Sequence, residues 1–102
     1  MILTVDQAFK SRKTFYVKFW QGNGYYPVDK FEWNEARQEW ERFDEKVDSN
    51  GVRFWYSSGF PRGGDTVPNE EFIRYTLEHM AVVISDIDMT NNRVFSRTLE
   101  IQ

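Results

Sequence analysis

Two carboxylates, Asp86 and Asp88, stand one residue apart and could do chemistry together. On a β-strand, side chains at this spacing share a face and lie about 6–7 Å apart. Such a pair could hold Mg²⁺, or could act as acid and base with Glu78 or Glu100. A simpler interpretation is a cross-strand ion pair between Asp86 and Arg97, with Asp88 beginning a turn. We favour the simpler interpretation and keep a small enzyme or metal site around the two aspartates as an alternative.

His79 is the only histidine of the chain, and cysteine is absent. Without cysteine there is no disulfide framework, no thiolate zinc site and no thiol nucleophile. A serine triad would require His79, but no serine lies in a Gly-x-Ser-x-Gly motif. His79 is expected in the last turn of a helix, where the helix dipole favours a cation. The sequence therefore predicts a protein that is not an enzyme and has no cofactor or metal.

Residues 57–65 form the one long stretch with the character of a loop, and they place Phe60 and Arg62 among glycines. Glycine-rich loops can hold phosphate on their backbone N–H groups, but the Gly-x-x-x-x-Gly-Lys-Ser/Thr motif is missing. The segment is therefore interpreted as a flexible connection. The alternative is a recognition loop that presents Phe60 and Arg62 to a partner.

Aromatic residues are frequent: nine Phe, five Tyr and four Trp occur in 102 residues. Each ring can remove about 150–250 Å² from water, so the chain can build a core without disulfides. One modest core does not hold all of them, and exposed Trp and Tyr are enriched at protein interfaces. We expect an outward sheet face that binds a partner, with help from the 57–65 loop. The candidate partner-binding residues are Tyr16, Lys18, Trp20, Arg53, Trp55, Phe60 and Arg62.

The net charge is −3, from thirteen basic and sixteen acidic residues. A charge this small and negative gives no field to attract nucleic acid, so a larger protein is the expected partner. Rings interleaved with cations keep single-stranded nucleic acid as an alternative ligand. The longest apolar run, residues 80–84, is too short to cross a bilayer, and residues 1–6 are too short for a signal segment. A cytoplasmic protein without a membrane partner is expected.

The first half of the chain begins with a helix signal and continues with strand signals. Thr4 and Gln7 have the spacing of a capping box, which predicts a helix over residues 5–11. Residues 14–20 alternate β-branched and aromatic side chains, which is typical of a strand. The turn residues Gly22-Asn23-Gly24 then favour a hairpin into residues 25–33.

The apolar spacing changes after Asn34, because Ala36, Trp40, Phe43 and Val47 recur at helical intervals. This spacing predicts a helix over residues 35–46 with Asn34 as its N-cap. The alternative is a hairpin whose turn runs through residues 35–37.

The second half of the chain predicts a turn at 48–51, a strand over 52–56 and a helix that begins near Pro68, capped by Asp65 or Thr66. A strand follows from Ala81. A turn at Asn91 and Asn92 would return the chain over 94–101, with positions paired so that their numbers sum to 183. That register places Ile84 opposite Leu99 and Asp86 opposite Arg97.

These elements predict one α+β domain over residues 1–102, with a mostly antiparallel sheet and two or three helices packed on it. The expected core residues lie on the apolar side of each element's period. They are Phe15, Val17, Phe19, Trp40, Phe43, Phe54, Phe72, Leu77, Ile84 and Leu99. The function expected for this fold is binding to a larger host protein, as a small inhibitor or adaptor of the type that phages and mobile elements encode.

Overall fold

A computed structural model describes residues 1–22, 24 and 26–89 of the chain. Two helices and five strands follow one another along it. They are α1 (Val5–Lys10), β1 (Phe15–Phe19), β2 (Val28–Asn34), β3 (Glu39–Val47), β4 (Arg53–Gly59), α2 (Asn69–Met80) and β5 (Ala81–Ser85). The strands form one antiparallel sheet in the order β4-β3-β2-β1-β5. The predicted α+β class is confirmed.

The short helix α1 forms where the capping box predicts it. The Thr4 hydroxyl accepts a hydrogen bond from the Gln7 N–H at 3.1 Å, and the Gln7 side chain accepts one from the Thr4 N–H at 2.9 Å. These two bonds satisfy donors that a helix start leaves without partners. Ala8 and Phe9 are the buried residues of this helix.

The core lies between the two helices and one face of the sheet. Phe15 and Phe31 face each other across β1 and β2, and their rings stack at 5.2 Å. Phe9 from α1 meets the edges of Phe15 and Trp40, each at 5.6 Å between ring centroids. Ile73 of helix α2 belongs to the same core cluster.

The predicted helix over residues 35–46 is wrong, and the alternative hairpin is correct. β2 and β3 pair from Asn34 with Glu39 to Asp29 with Asp44, and residues 35–38 form the turn. Asn34 does accept a backbone N–H, from Arg37 at 2.9 Å, but it closes this turn rather than capping a helix. The helical spacing of apolar residues was accidental, because Trp40 faces the core while Val47 is exposed.

The helix α2 begins at Asn69, one residue after Pro68, and neither Asp65 nor Thr66 caps it. Proline suits the position before the first turn, because the first N–H groups of a helix have no partner within the helix. The helix turns Ile73 and Leu77 towards the sheet and leaves Met80 exposed.

Three expected core residues are placed differently. Phe54 is 45% exposed, while Phe43 and Phe72 are half-buried. Phe54 stays exposed because the helices pack mainly against β3 and β5. Six others are buried as predicted: Phe15, Val17, Phe19, Trp40, Leu77 and Ile84. Leu99 lies outside the described residues.

The N-terminal residues occupy the outer edge of β5. Leu3 N–H donates to the Ile84 carbonyl at 2.8 Å, and Ile2 pairs with Ser85. The inner edge of β5 pairs with β1. The edge that the predicted pairing of Ile84 with Leu99 needs is therefore occupied. The return segment over 94–101, with Leu99 and Arg97, lies outside the described residues.

Candidate partner-binding surface

The structure separates the seven candidate partner-binding residues into three places. The sheet face away from the helices carries Tyr16, Lys18, Arg53 and Trp55. Trp20 follows β1 and lies on the helix side, at the rim of a cleft. The third place is the loop after β4, which carries Phe60 and Arg62.

The sheet face away from the helices is a second packed layer. The Tyr16 and Trp55 rings lie 5.9 Å apart although two strands separate them, which requires a strongly curled sheet. Lys30 Nζ lies 4.5 Å from the Phe43 ring and 5.3 Å from the Trp55 ring, between them. Lys18 is only 4% exposed. Large parts of this face are therefore closed to a partner.

The ion pairs and the partial burial of side chains on this face agree with its being a packed layer. Lys30 forms an ion pair with Glu32 at 2.9 Å, and Arg53 forms one with Glu45 at 3.3 Å. Partial burial raises the pKa of Tyr16, and the nearby Asp88 carboxylate raises it further. These cations already have carboxylates beside them, which lowers what they could contribute to holding a phosphate.

The loop after β4 is fastened to the β2–β3 hairpin. Arg62 donates to both carboxylate oxygens of Glu39, at 2.8 and 2.6 Å. Arg37 lies 4.0 Å from the centre of the Phe60 ring and also donates to Glu39. The hydrogen bond from Arg62 lowers the pKa of Glu39. Phe60 and Arg62 thus anchor the loop to its own protein.

Trp20 is the one candidate that presents a large ring to solvent. Its side chain is 61% exposed, and its N–H donates to the Met80 carbonyl at 3.2 Å. That bond holds the residue against the end of α2, where Met80 is 51% exposed. Both residues line a cleft of about 500 Å³ between α2 and the sheet, with Phe19 and Pro27 among the other lining residues.

The cleft also contains a group of three charged residues. Asp29 is only 5% exposed; its Oδ2 accepts a hydrogen bond from Arg42 Nε at 2.7 Å and lies 2.6 Å from Arg42 Nη2 in the same ion pair. Asp44 stands opposite Asp29 in the strand register, with Oδ1 3.7 Å from Arg42 Nε. Burial raises the pKa of Asp29, although the Arg42 guanidinium opposes that shift.

Sequence reasoning missed this group because it placed residues 35–46 in a helix. The alternative hairpin does predict that these three charged residues come together. Pairing Asn34 with Glu39 brings Asp29 opposite Asp44 and Phe31 opposite Arg42 on the core side of the sheet. An arginine between two carboxylates then follows from the side-chain alternation of the strands.

The other residues with chemical potential have structural contacts. Asp86 accepts a hydrogen bond from the N-terminal ammonium at 2.8 Å, and that bond lowers its pKa. The His79 ring lies 4.1 Å from the Tyr75 ring, with Nδ1 2.8 Å from the Tyr75 carbonyl. Within residues 1–22, 24 and 26–89, no three His, Asp or Glu side chains come together as possible metal ligands.

Comparison with known protein families, curated proteins and solved structures finds no match for this chain. Among the residues that the structure describes, neither helix is long and apolar enough to span a membrane.

Proposed function

We propose that the protein is a non-enzymatic binding domain that docks a larger protein at the cleft beside Trp20. The observation that carries this proposal is the adjacent exposure of Trp20 and Met80 on the rim of that cleft. Tryptophan is one of the residue types enriched among interface hot spots. Methionine adapts its shape to different partner surfaces.

The cleft has the composition of a protein interface. Its rim is apolar, and its floor carries the Asp29–Arg42–Asp44 group, with the arginine held in a fixed orientation by a buried carboxylate. Arg42 Nη1 has no partner among the described residues, so it is available to a carbonyl or carboxylate of the partner. An apolar anchor beside an oriented arginine is a recurring arrangement in tight interfaces.

Single-stranded nucleic acid is the weaker candidate. Of the two cations expected to hold phosphates, Lys18 is only 4% exposed and Arg53 forms an ion pair with Glu45. The cleft itself has three acidic lining residues (Asp29, Asp44 and Glu45) against Arg42 and Lys46, so it has no excess of positive charge. Binding to nucleic acid depends on such an excess.

The proposed role is that of a cytoplasmic inhibitor or adaptor of a larger host protein, of the type that phages and mobile elements encode. Such proteins act by covering a surface of their target, which requires no catalytic group in the smaller protein. A rigid sheet that presents a tryptophan at a cleft suits this role, because little freedom is lost on binding.

The test compares capture of a partner by the wild type and by two alanine variants. Trp20→Ala removes the rim ring, whereas Tyr75→Ala removes an equally exposed ring on the outer side of α2 and serves as the control. We expect the wild type and Tyr75→Ala to retain the same protein from host lysate, and Trp20→Ala to lose it. A protein that all three retain equally would overturn the proposal, as would capture that nuclease treatment abolishes.

A further inference from the structure

β4 is the last strand of the sheet, and in the part of the chain that the structure describes no strand lies beyond its outer edge. Sheet edges expose rows of N–H and C=O groups that can pair with another chain, and proteins often protect them with proline, lysine or a bulge. From Arg53 to Gly59 there is no proline, no lysine and one charged residue, and the bulge at Ser58 leaves residues 53–57 in regular register with β3.

The hairpin between β3 and β4 determines which backbone groups point outward. The Asp48 N–H donates to the Val52 carbonyl at 3.0 Å, so these two residues form a hydrogen-bonded pair. Such pairs alternate with non-hydrogen-bonded pairs along an antiparallel ladder. Counting along the register makes Phe54 and Tyr56 bond to β3 and directs the backbone groups of Trp55 and Ser57 outward.

The two residues that bond inward carry exposed rings. Phe54 is 45% exposed and Tyr56 is 54% exposed, on the helix side of the sheet, where the helices pack mainly against β3 and β5. Two large rings beside an open row of backbone donors and acceptors form a strip that is both apolar and able to hydrogen-bond. A strand added to this edge would satisfy both properties.

The opposite edge of the sheet is closed at its C-terminal part. Leu3 bonds to Ile84, Ile2 pairs with Ser85, and the Asp86 N–H donates to the Met1 carbonyl at 3.4 Å. Among the described residues the β4 edge is open along its length, whereas the outer edge of β5 is partly occupied, and a two-fold pairing of β4 with β4 uses the same edge of both copies. The assembly therefore closes as a dimer and does not grow into a filament.

We propose that the chain forms a two-fold symmetric dimer in which β4 pairs antiparallel with β4 of a second copy. The register places Trp55 opposite Trp55 of the second copy, because this alignment matches the outward-facing backbone groups of both strands. It also places Phe54 directly opposite Tyr56 of the second copy, and this occurs twice. Directly opposed rings on neighbouring strands stabilise a sheet.

The second copy is the occupant because the strip is complementary to itself. In this register each exposed ring meets a ring, and Arg53 stands opposite Ser57 of the second copy, so no like charges face each other. This dimer goes beyond the partner-binding proposal and does not depend on it, since neither Phe54 nor Tyr56 lines the cleft beside Trp20.

The experiment is sedimentation equilibrium of the full chain over a range of concentrations, with two double variants. Phe54→Lys/Tyr56→Lys places lysine opposite lysine at both ring pairs, and we expect dimerisation to weaken roughly tenfold or more. Phe54→Lys/Tyr56→Glu places opposite charges there in the proposed register only. We expect it to restore the dimer, with an affinity that falls as salt is raised. Tyr75→Lys, on α2, is the control and should dimerise as the wild type does.

Three results would overturn the proposal. They are a wild type that remains a single copy at every concentration, a lysine double variant that dimerises fully, and a Lys/Glu variant that gains nothing over the lysine variant. If the lysine variant fails to fold, mixing Phe54→Lys/Tyr56→Glu with the wild type replaces it. In the proposed register the variant should form dimers with itself rather than with the wild type. A random mixture of the two kinds of dimer would contradict the proposal.

Discussion

Asn69, the first residue of α2, closes both backbone hydrogen bonds of Trp40. Its Oδ1 accepts the Trp40 N–H at 2.6 Å, and its Nδ2 donates to the Trp40 carbonyl at 3.1 Å. β4 pairs with β3 only as far as Arg42, so Trp40 lies beyond the end of its neighbouring strand. Nδ2 also donates to the Pro61 carbonyl at 2.7 Å. One side-chain amide thus replaces a strand and holds the loop after β4.

Replacing Asn69 is therefore expected to be costly. Asn69→Ala leaves the N–H and C=O of the buried Trp40 without partners, and we expect a loss of roughly 2–4 kcal/mol in the free energy of unfolding. Urea denaturation measures it. Asn50→Ala, in an exposed turn, is the control and should change stability by no more than about 0.5 kcal/mol. A loss below about 1 kcal/mol for Asn69→Ala would show that water replaces the amide.

Trp20 and Trp55 lie at two different places in the fold, so truncating them should affect stability differently. Trp55→Ala removes a half-buried ring that contacts Tyr16 and Lys30, and we expect a loss of roughly 1–3 kcal/mol in stability. Trp20→Ala removes an exposed ring and should change stability by less than about 0.5 kcal/mol. Thermal unfolding of both variants measures this, and equal losses would contradict the separation of the two sites.

Core truncations test which faces are buried. Leu77→Ala on α2 and Ile84→Ala on β5 each remove a buried side chain and should cost about 2–5 kcal/mol. Phe54→Ala, on the open part of the sheet, should cost less than about 1 kcal/mol under conditions where the chain is a single copy. The three values are obtained from denaturant unfolding at low protein concentration. A Phe54 variant as unstable as the Leu77 variant would mean that β4 is covered.

The contribution of Glu70 to the stability of the fold should be lost in acid. Burial alone would raise the pKa of Glu70, but the hydrogen bonds from Arg12 and Trp40 Nε1 outweigh burial and lower it. A carboxylate with a lowered pKa stabilises the fold above its ordinary value of 4.5 and loses that contribution as the pH falls through the folded value. Glu70→Gln should be destabilised at neutral pH, and its deficit should shrink in acid. Unfolding at a series of pH values tests this, and a constant deficit would contradict it.

The contribution of Asp29 to stability should depend on pH in the opposite direction to that of Glu70. Burial raises its pKa above the ordinary 3.8, so its charged form opposes folding, and stability falls as the pH rises through the folded value. Relative to the wild type, Asp29→Asn should therefore gain stability as the pH rises from 3.8 through the folded pKa of Asp29, and it should keep that gain at neutral pH. The same pH series measures the difference, and a variant that loses ground with rising pH would show that the Arg42 ion pair dominates.

Features that depend on neighbouring residues along the chain could be predicted from the sequence. The capping box at Thr4 needs only Gln7, three residues away, and the alternation from Phe15 to Phe19 fixes one face of one strand. The turn before β4 follows from Gly51, whose positive φ of 80° suits glycine. The absence of cysteine and the frequency of aromatic rings are likewise properties of the sequence alone.

Only the tertiary structure decided between a helix and a hairpin for residues 34–47, because both patterns fit the apolar spacing and Trp40 becomes buried in either. The hairpin is selected by contacts with Phe9, Phe15 and Asn69, which are distant in sequence. The same holds for Phe54, whose strand is identical to a buried one in local pattern but lies beyond the reach of the helices. Local propensity is a property of a few adjacent residues, whereas burial depends on which distant elements cover a surface, and so the cleft beside Trp20 and the open edge of β4 emerge only from the assembled fold.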